Sequence, residues 1–293
     1  MAHQQDHHQG QPHGHQHGGP KHGAGETGLA DMLDLDAEVM ASYLSEIMSW
    51  VGQHTDGIPR RVLDLGAGTG TGTVALARCF DPAEVIAVDA AEESLARIHA
   101  KVADLGLADR VSTVGADVDE GWPDLEPVDL AWASNSLHEM ADPDRVFAQL
   151  FATLNPGGLL AVAEMDGFPL FLPEDIGMGR PGLETRVHEA LAEARSDTQP
   201  RLGPDWEPNL VRAGFAVRAT RRFTIELAAP VPAATGRYAQ TFLLTVRAGL
   251  ADKLGAEDLA VLDTLNGDGP DSLLHRADLV VRNTRTGWIA AKP

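Results

Sequence analysis

Apolar positions along the chain follow two rhythms, and their alternation predicts the architecture. Short apolar runs occur at Val62 to Leu65, Val85 to Val88, Val111 to Val114, Val128 to Trp132 and Leu159 to Glu164. Most are nearly continuous, as strands buried on both faces must be. Between them the apolar residues space out by three and four. Val74 to Ala77 opens one such stretch, Leu95, Ile98, Val102 and Leu105 form a second, and Val146, Phe147, Leu150, Phe151 and Leu154 a third. This spacing puts one apolar face on each helix. Gly106 is placed to end the second helix, and Asp142 with Pro143 to start the third. Strands alternating with helices predict an α/β fold around a mostly parallel sheet.

The pattern departs from this rhythm at three places. Ahead of the first strand, Val39, Met40, Tyr43, Leu44, Ile47, Met48 and Val51 predict one amphipathic helix, capped by Asp36 and running to about Gly52. After Glu164 comes an apolar, glycine-bearing loop from Asp166 to Arg180, which reads as mobile. A short helix (Leu183, Val187, Leu191) and a polar linker from Ser196 to Pro204 follow it. A helix over Asp205 to Ala213 then leads to a sixth strand, where Phe215, Val217, Ala219, Phe223, Ile225 and Leu227 alternate with polar residues. A helical insert over Ala234 to Leu265 (Tyr238, Phe242, Val246, Leu250) precedes a final strand from Leu279 to Ala290. The domains expected are a His-rich tail at 1–28, a helical cap at 29–60, and a main domain at 61–293 with lid-like inserts at 166–204 and 234–265. An insert after the fifth strand lies over the sheet edge where open α/β folds bind ligands.

The chemistry concentrates behind the first strand. Asp64-Leu65-Gly66-Ala67-Gly68-Thr69-Gly70 closes that strand with an acid and a glycine turn, directly before a helix. Glycines there let backbone approach a ligand, and the helix N-terminus lies beside it. The glycines read G-x-G-x-G, not the dinucleotide G-x-G-x-x-G, which argues against nicotinamide-dependent redox chemistry. Asp89 closes the second strand, 23 residues after Gly66, where a carboxylate can accept both hydroxyls of a ribose.

The run from Asp64 to Gly70 resembles the first motif of class I S-adenosylmethionine-dependent methyltransferases. Later segments resemble the family's later motifs in order: Asp89 with Ala90, Gly115-Ala116-Asp117 with Val118, Ser134-Asn135-Ser136-Leu137-His138, and the turn Asn155-Pro156-Gly157-Gly158. The likeness covers roughly 61–227 and the final strand. It implies a Rossmann-like seven-stranded sheet, order 3-2-1-4-5-7-6, with the last strand antiparallel. It also implies S-adenosyl-L-methionine as cofactor and S-adenosyl-L-homocysteine as product. The residues expected around the cofactor are Asp64, Gly66, Ala67, Gly68, Gly70, Asp89, Ala90, Asp117, Val118, Ser134 and Asn135, with Asp117 receiving the adenine amine because a carboxylate only accepts hydrogen bonds. His138 falls where the family places residues facing the transferred methyl. It is the expected base, with Glu164 as the alternative acid or base. The competing reading of His138 is a residue that shapes its loop.

Composition narrows the partners. A formal charge of −20 repels phosphate backbones and anionic membranes, so a small-molecule acceptor is expected rather than nucleic acid or a membrane. The Asn-Pro-Pro-aromatic signature of many nucleobase methyltransferases is absent after the fourth strand. Cys79 is the single cysteine and no stretch reads as a signal peptide or membrane span, so the cytoplasm is the expected compartment. Seven of the twelve histidines lie within residues 1–28, which lack apolar periodicity and read as a solvated tail. No metal is expected at the reaction centre. The aromatic inserts suit an apolar acceptor. A non-methylating descendant that keeps S-adenosylmethionine is the alternative function. Acceptor, methylated atom and oligomeric state, a homodimer included, are left open by the sequence.

Overall fold

Seven strands form one sheet in the order β3-β2-β1-β4-β5-β7-β6. The computed structural model describes residues 26–195 and 203–293. Residues 1–25 of the His-rich tail, and 196–202 of the polar linker, lie outside the described residues. The first half of the chain runs α1 (Glu26–Val39), α2 (Ala41–Gly52), β1 (Arg61–Leu65), α3 (Thr71–Cys79), β2 (Glu84–Asp89), α4 (Glu92–Asp104), β3 (Val111–Gly115) and β4 (Val128–Ser134). A 3₁₀ turn at Leu137–Glu139 follows, then α5 (Pro143–Thr153), β5 (Leu154–Met165), α6 (Leu183–Arg195), α7 (Glu207–Arg212), β6 (Ala216–Leu227), α8 (Thr235–Gly249), α9 (Ala256–Leu265) and β7 (Val281–Ala291). β1 pairs parallel with β2 and β4, and β7 runs antiparallel to both β5 and β6. This is the expected Rossmann-like methyltransferase sheet.

Each sheet face has its own apolar core. Leu63, Leu65, Val88, Leu160, Val162 and Trp288 pack toward α5 and α7. Val62, Val85, Ala161, Ala163 and Ile289 pack toward α2, α3, α4 and the inserts. The helix punctuation reads out as expected at α5, where Asp142 Oδ1 accepts from Arg145 N at 3.1 Å with Pro143 in the first turn.

The structure differs from the sequence reading at three places. The single helix over 36–52 is two helices meeting at Met40, and Glu26 to Gly28 already belong to α1. Asp36 caps nothing. Its Oδ1 accepts from the Tyr238 hydroxyl at 2.8 Å and from Arg285 Nη2 at 2.6 Å. The fifth strand begins at Leu154, because Asn155 to Gly158 stay on the sheet: Gly157 N donates to Lys292 O and Lys292 N to Gly158 O, both at 2.9 Å. The insert over 234–265 is helical as expected, made of α8 and α9. The loop after β5 is no loose element. Phe171, Leu172 and Ile176 are buried, and Leu170 bridges to Arg282 of β7. Glu184 fixes it from α6, its carboxylate accepting from Phe171 N and Leu172 N at 2.8–2.9 Å. Burial pushes that carboxyl up to about 7 despite these bonds.

The N-terminal helices and both inserts close into one layer. α1 packs along α8 and α8 along α9. Phe171 meets Tyr238 edge-on at 4.9 Å, and Phe168 and Phe242 stack tilted at 5.5 Å. β5 and β6 run in the same direction, so both inserts leave from the sheet edge that also carries the ends of β1, β2 and β4.

Candidate cofactor and active site

The turn after β1 is built by backbone that only glycine adopts easily. Gly66, Gly68 and Gly70 have φ of 67°, 53° and 84°. A side chain on Gly66 would collide with Ser136, and one on Gly70 would meet Ile98 Cγ1 at 2.6 Å. Gly66 N and Ala67 N both donate to Val88 O, which welds the turn to the end of β2. Asp64 lies beneath this turn rather than at its surface. It is 2% exposed and accepts from Thr73 Oγ1 at 2.6 Å, tying β1 to the first turn of α3. Desolvation, with the charge of Asp89 adding to it, lifts its carboxyl to about 7 against the Thr73 bond.

Asp89 stands at the adjacent strand end. Its Oδ2 accepts from Gly68 N at 2.7 Å and its Oδ1 from Ala91 N at 2.9 Å. Burial raises its carboxyl above the ordinary range, and the backbone bonds oppose that rise. Each oxygen keeps a second lone pair for a ligand hydroxyl. Gly115, in register with Asp89, leads into Asp117, whose Oδ1 accepts from Asp119 N and whose side chain reaches solvent. Ala90 is exposed, while Val118 is buried beneath its loop. The chain brings the ends of β1, β2 and β3 to one edge in the order the family resemblance implied.

The end of β4 completes that edge. Ser134 pairs with Ala163, and Asn135 has φ 50°, the left-handed geometry that asparagine tolerates better than most residues. Asn135 N donates to Ala163 O at 2.8 Å, but its Oδ1 is buried without a hydrogen-bond partner. A buried acceptor left unmade costs about 1–3 kcal/mol, so this oxygen suits a ligand donor.

His138 and Glu164 come together although 26 residues separate them: Nδ1 and Oε2 lie 2.6 Å apart. Glu164 Oε1 accepts from Ser136 N at 3.0 Å and Leu137 N at 2.8 Å. Glu139 Oε1 lies 3.3 Å from His138 Nε2. Burial disfavours the charged imidazole, yet the bonds to Glu139 and Glu164 outweigh it and raise His138 to about 9. The imidazole is therefore cationic at neutral pH, and Glu164 has both oxygens engaged.

Sequence reasoning passed over several residues at this edge. Leu33 on α1 lies over the glycine turn, its Cδ1 3.2 Å from where a Cβ of Gly68 would stand. Asp34 bonds Thr69 and pairs with Arg97 and Lys101 of α4. Ser136, inside the recognised run but given no role there, packs on Gly66 and donates to Leu65 O at 3.1 Å. Arg285 is 4% exposed, stacks 4.8 Å over the Tyr43 ring and joins Asp36. A periodic pattern marks Leu33 and Tyr43 as apolar-face residues only, and nothing in it announces a buried arginine in β7.

Comparison with known proteins agrees with this geometry. Residues 62–158 match the methyltransferase domain family. Over this third of its length the chain is similar to methyltransferase domains. Over 108 residues it is 35% identical to trans-aconitate 2-methyltransferase of Acidovorax sp. (strain JS42), covering 37% of this chain and 39% of that enzyme. Over 116 residues it is 32% identical to the ubiquinone/menaquinone biosynthesis C-methyltransferase UbiE of Psychromonas ingrahamii, covering 39% of this chain and 45% of that enzyme. The match thus spans less than half the length of either relative. A Bacillus halodurans structure named as a candidate methyltransferase shares the fold at TM-score 0.54 and 17% identity, over 86% of this chain and 99% of its own. Among the described residues, no helix is long and apolar enough to cross a membrane.

Proposed function

We propose that the protein is an S-adenosylmethionine-dependent methyltransferase acting on a small-molecule acceptor and releasing S-adenosylhomocysteine. The observation that carries this reading is the edge formed by the Gly66–Gly70 turn, the Asp89 carboxylate and the unpartnered Asn135 Oδ1. These residues fit the cofactor's chemistry. Asp89 supplies acceptors for the ribose diol, Asp117 an acceptor for the adenine amine, and Asn135 a buried acceptor for the amino-acid end. Gly66, Ala67, Gly68, Gly70, Ala90, Val118 and Ser134 supply backbone and walls around these groups. Asp64 supports the loop from below.

When bound, the cofactor supplies an electrophilic methyl on sulfur. The protein's part is to hold an acceptor in line at contact distance, which can lower a barrier by about 7 kcal/mol or more. His138, held as a cation between Glu139 and Glu164, donates a hydrogen bond at neutral pH rather than removing a proton. It serves as a base only once pH rises past about 9. An acceptor that is already ionised or neutral and nucleophilic needs no base. Phe168 and Phe242, one from each insert and stacked on each other, suit an apolar or aromatic acceptor. Reduced Cys79 is in keeping with a cytoplasmic enzyme.

Incubation with methyl-labelled S-adenosylmethionine and a panel of aromatic, quinone-precursor and carboxylic-acid acceptors tests the proposal. Label in product supports it. Cofactor binding by calorimetry without any transfer across the panel favours the non-methylating alternative, and no binding overturns the reading.

A further inference from the structure

Glu164 is the most heavily committed side chain at the site. It is 2% exposed, yet it lies at the end of β5, on the opposite side of His138 from Glu139. One oxygen accepts from two successive backbone amides, Ser136 N and Leu137 N, and the other meets His138 Nδ1. Those two amides begin the 3₁₀ turn that carries His138. Ser136 in turn donates its hydroxyl to Leu65 O and packs against Gly66, where no side chain could fit between them. A continuous path of contacts thus runs from the imidazole through one carboxylate to the first glycine of the turn.

We propose that Glu164 is a positioning residue that locks His138 and the Ser136–Gly66 contact together, so that the acceptor side and the cofactor side of the site are set by one carboxylate. The proposal rests on the cofactor reading given above. Three acceptor contacts on one buried carboxylate cost desolvation that only charged or strongly polar partners offset. The one lone pair they leave, on Oε2, belongs to a side chain only 2% exposed, which keeps it from acid–base work on a substrate. Its influence reaches a bound molecule only through the groups it holds. Because the contacts are shared, the energy is reciprocal: whatever strengthens the loop for the cofactor also favours the protonated imidazole, by linkage.

The groups facing His138 are Glu139 on its own turn, Glu164 from β5, and, at one remove, Arg195 of α6, which lies 3.9 Å from Glu139. Tyr43 of α2 lies within electrostatic range of Glu164 and stays neutral, its hydroxyl pushed up to about 12 chiefly by burial.

The test uses the full-length protein with ¹⁵N-labelled histidine. His138 titration is followed by NMR and S-adenosylhomocysteine affinity by calorimetry, in wild type, Glu164→Gln, Glu164→Asp and Ser136→Ala. Glu164→Gln is expected to move the His138 titration down by about one pH unit or more and to weaken binding roughly tenfold. Glu164→Asp, which keeps the charge, is expected to restore much of the titration shift. Ser136→Ala is expected to weaken binding while leaving the titration where it was. An unchanged His138 titration in Glu164→Gln, in a protein that melts as a folded domain, overturns the proposal. So does a titration shift with unchanged affinity, since the two sides would then be independent. Failure of the wild type to bind S-adenosylhomocysteine is a different result: it removes the cofactor reading, whatever the NMR shows.

Discussion

Arg285 and Asp36 lie 249 residues apart in sequence and 2.6 Å apart in the fold. Arg285 is wholly buried, and its guanidinium also donates to Asn283 Oδ1 and covers the Tyr43 ring. Burial works against its charge, but Asp36 and the two neighbouring tyrosines hold it well above the ordinary arginine range. Tyr238 donates to the same Asp36 oxygen. One carboxylate therefore joins α1 to α8 and to β7.

Removing one partner of such a pair strands the other charge in the interior. Asp36→Ala is expected to lower unfolding free energy by about 3–5 kcal/mol, and the double variant Asp36→Leu with Arg285→Met by clearly less. Urea unfolding of the three proteins checks this. Equal losses in single and double variants would mean that the pair holds nothing together.

Asp89 has two duties, holding Gly68 N and offering acceptors to a ribose. Asp89→Ala is expected to weaken S-adenosylhomocysteine binding tenfold or more, from the loss of about 1.5–3 kcal/mol of charged hydrogen bonding. Asp89→Asn, which keeps one acceptor oxygen, is expected to fall between. Unchanged affinity by calorimetry in Asp89→Ala would place the ribose elsewhere.

The charge on His138 makes stability depend on pH in a defined direction. Its folded value of about 9 lies above the ordinary 6.5, so the folded state holds the proton more tightly. The stabilisation is present in full below about 6.5 and is lost as pH rises through 9. Relative to His138→Gln, wild type is expected to gain on the order of 2–3 kcal/mol at pH 6. The gain is expected to vanish above about pH 10, where both ends of the shift are passed. Denaturation at several pH values measures the difference. A gap that grows toward high pH would reverse the sign and refute the ion pair.

Leu33 closes over Gly68, and the strip beneath it is held by Asp31 and Asp34 on Arg97 and Lys101. These pairs are partly exposed, worth about 0.2–1 kcal/mol each, and screened by salt. Leu33→Ala, or salt near 1 M, is expected to raise association and dissociation rates of S-adenosylhomocysteine together by several-fold, with a smaller change in affinity. Stopped-flow tryptophan fluorescence reads both rates. A rise in dissociation alone would make Leu33 a wall of the site and not a cover.

What the sequence determined follows from local rules. A buried parallel strand demands an apolar run, a left-handed turn demands glycine, and a helix start such as Asp142 with Pro143 is a matter of four adjacent residues. The sheet members and the Gly66–Gly70 turn were therefore legible one by one, and the family likeness supplied their order. So were Asp89 and Asp117 as strand-end acids. Tertiary structure alone decided where polar side chains went once they left those ends. Asp36 has the form of a helix cap, but α1 continues past it and it finds Arg285 and Tyr238 instead. Glu184 turns an apolar loop with three glycines into core by accepting its amides. His138 looks like a base from its reference value alone; two carboxylates, one of them 26 residues away, make it a cation. Burial and hydrogen bonding set the energy of a charge, and both are sums over neighbours that the linear order does not supply.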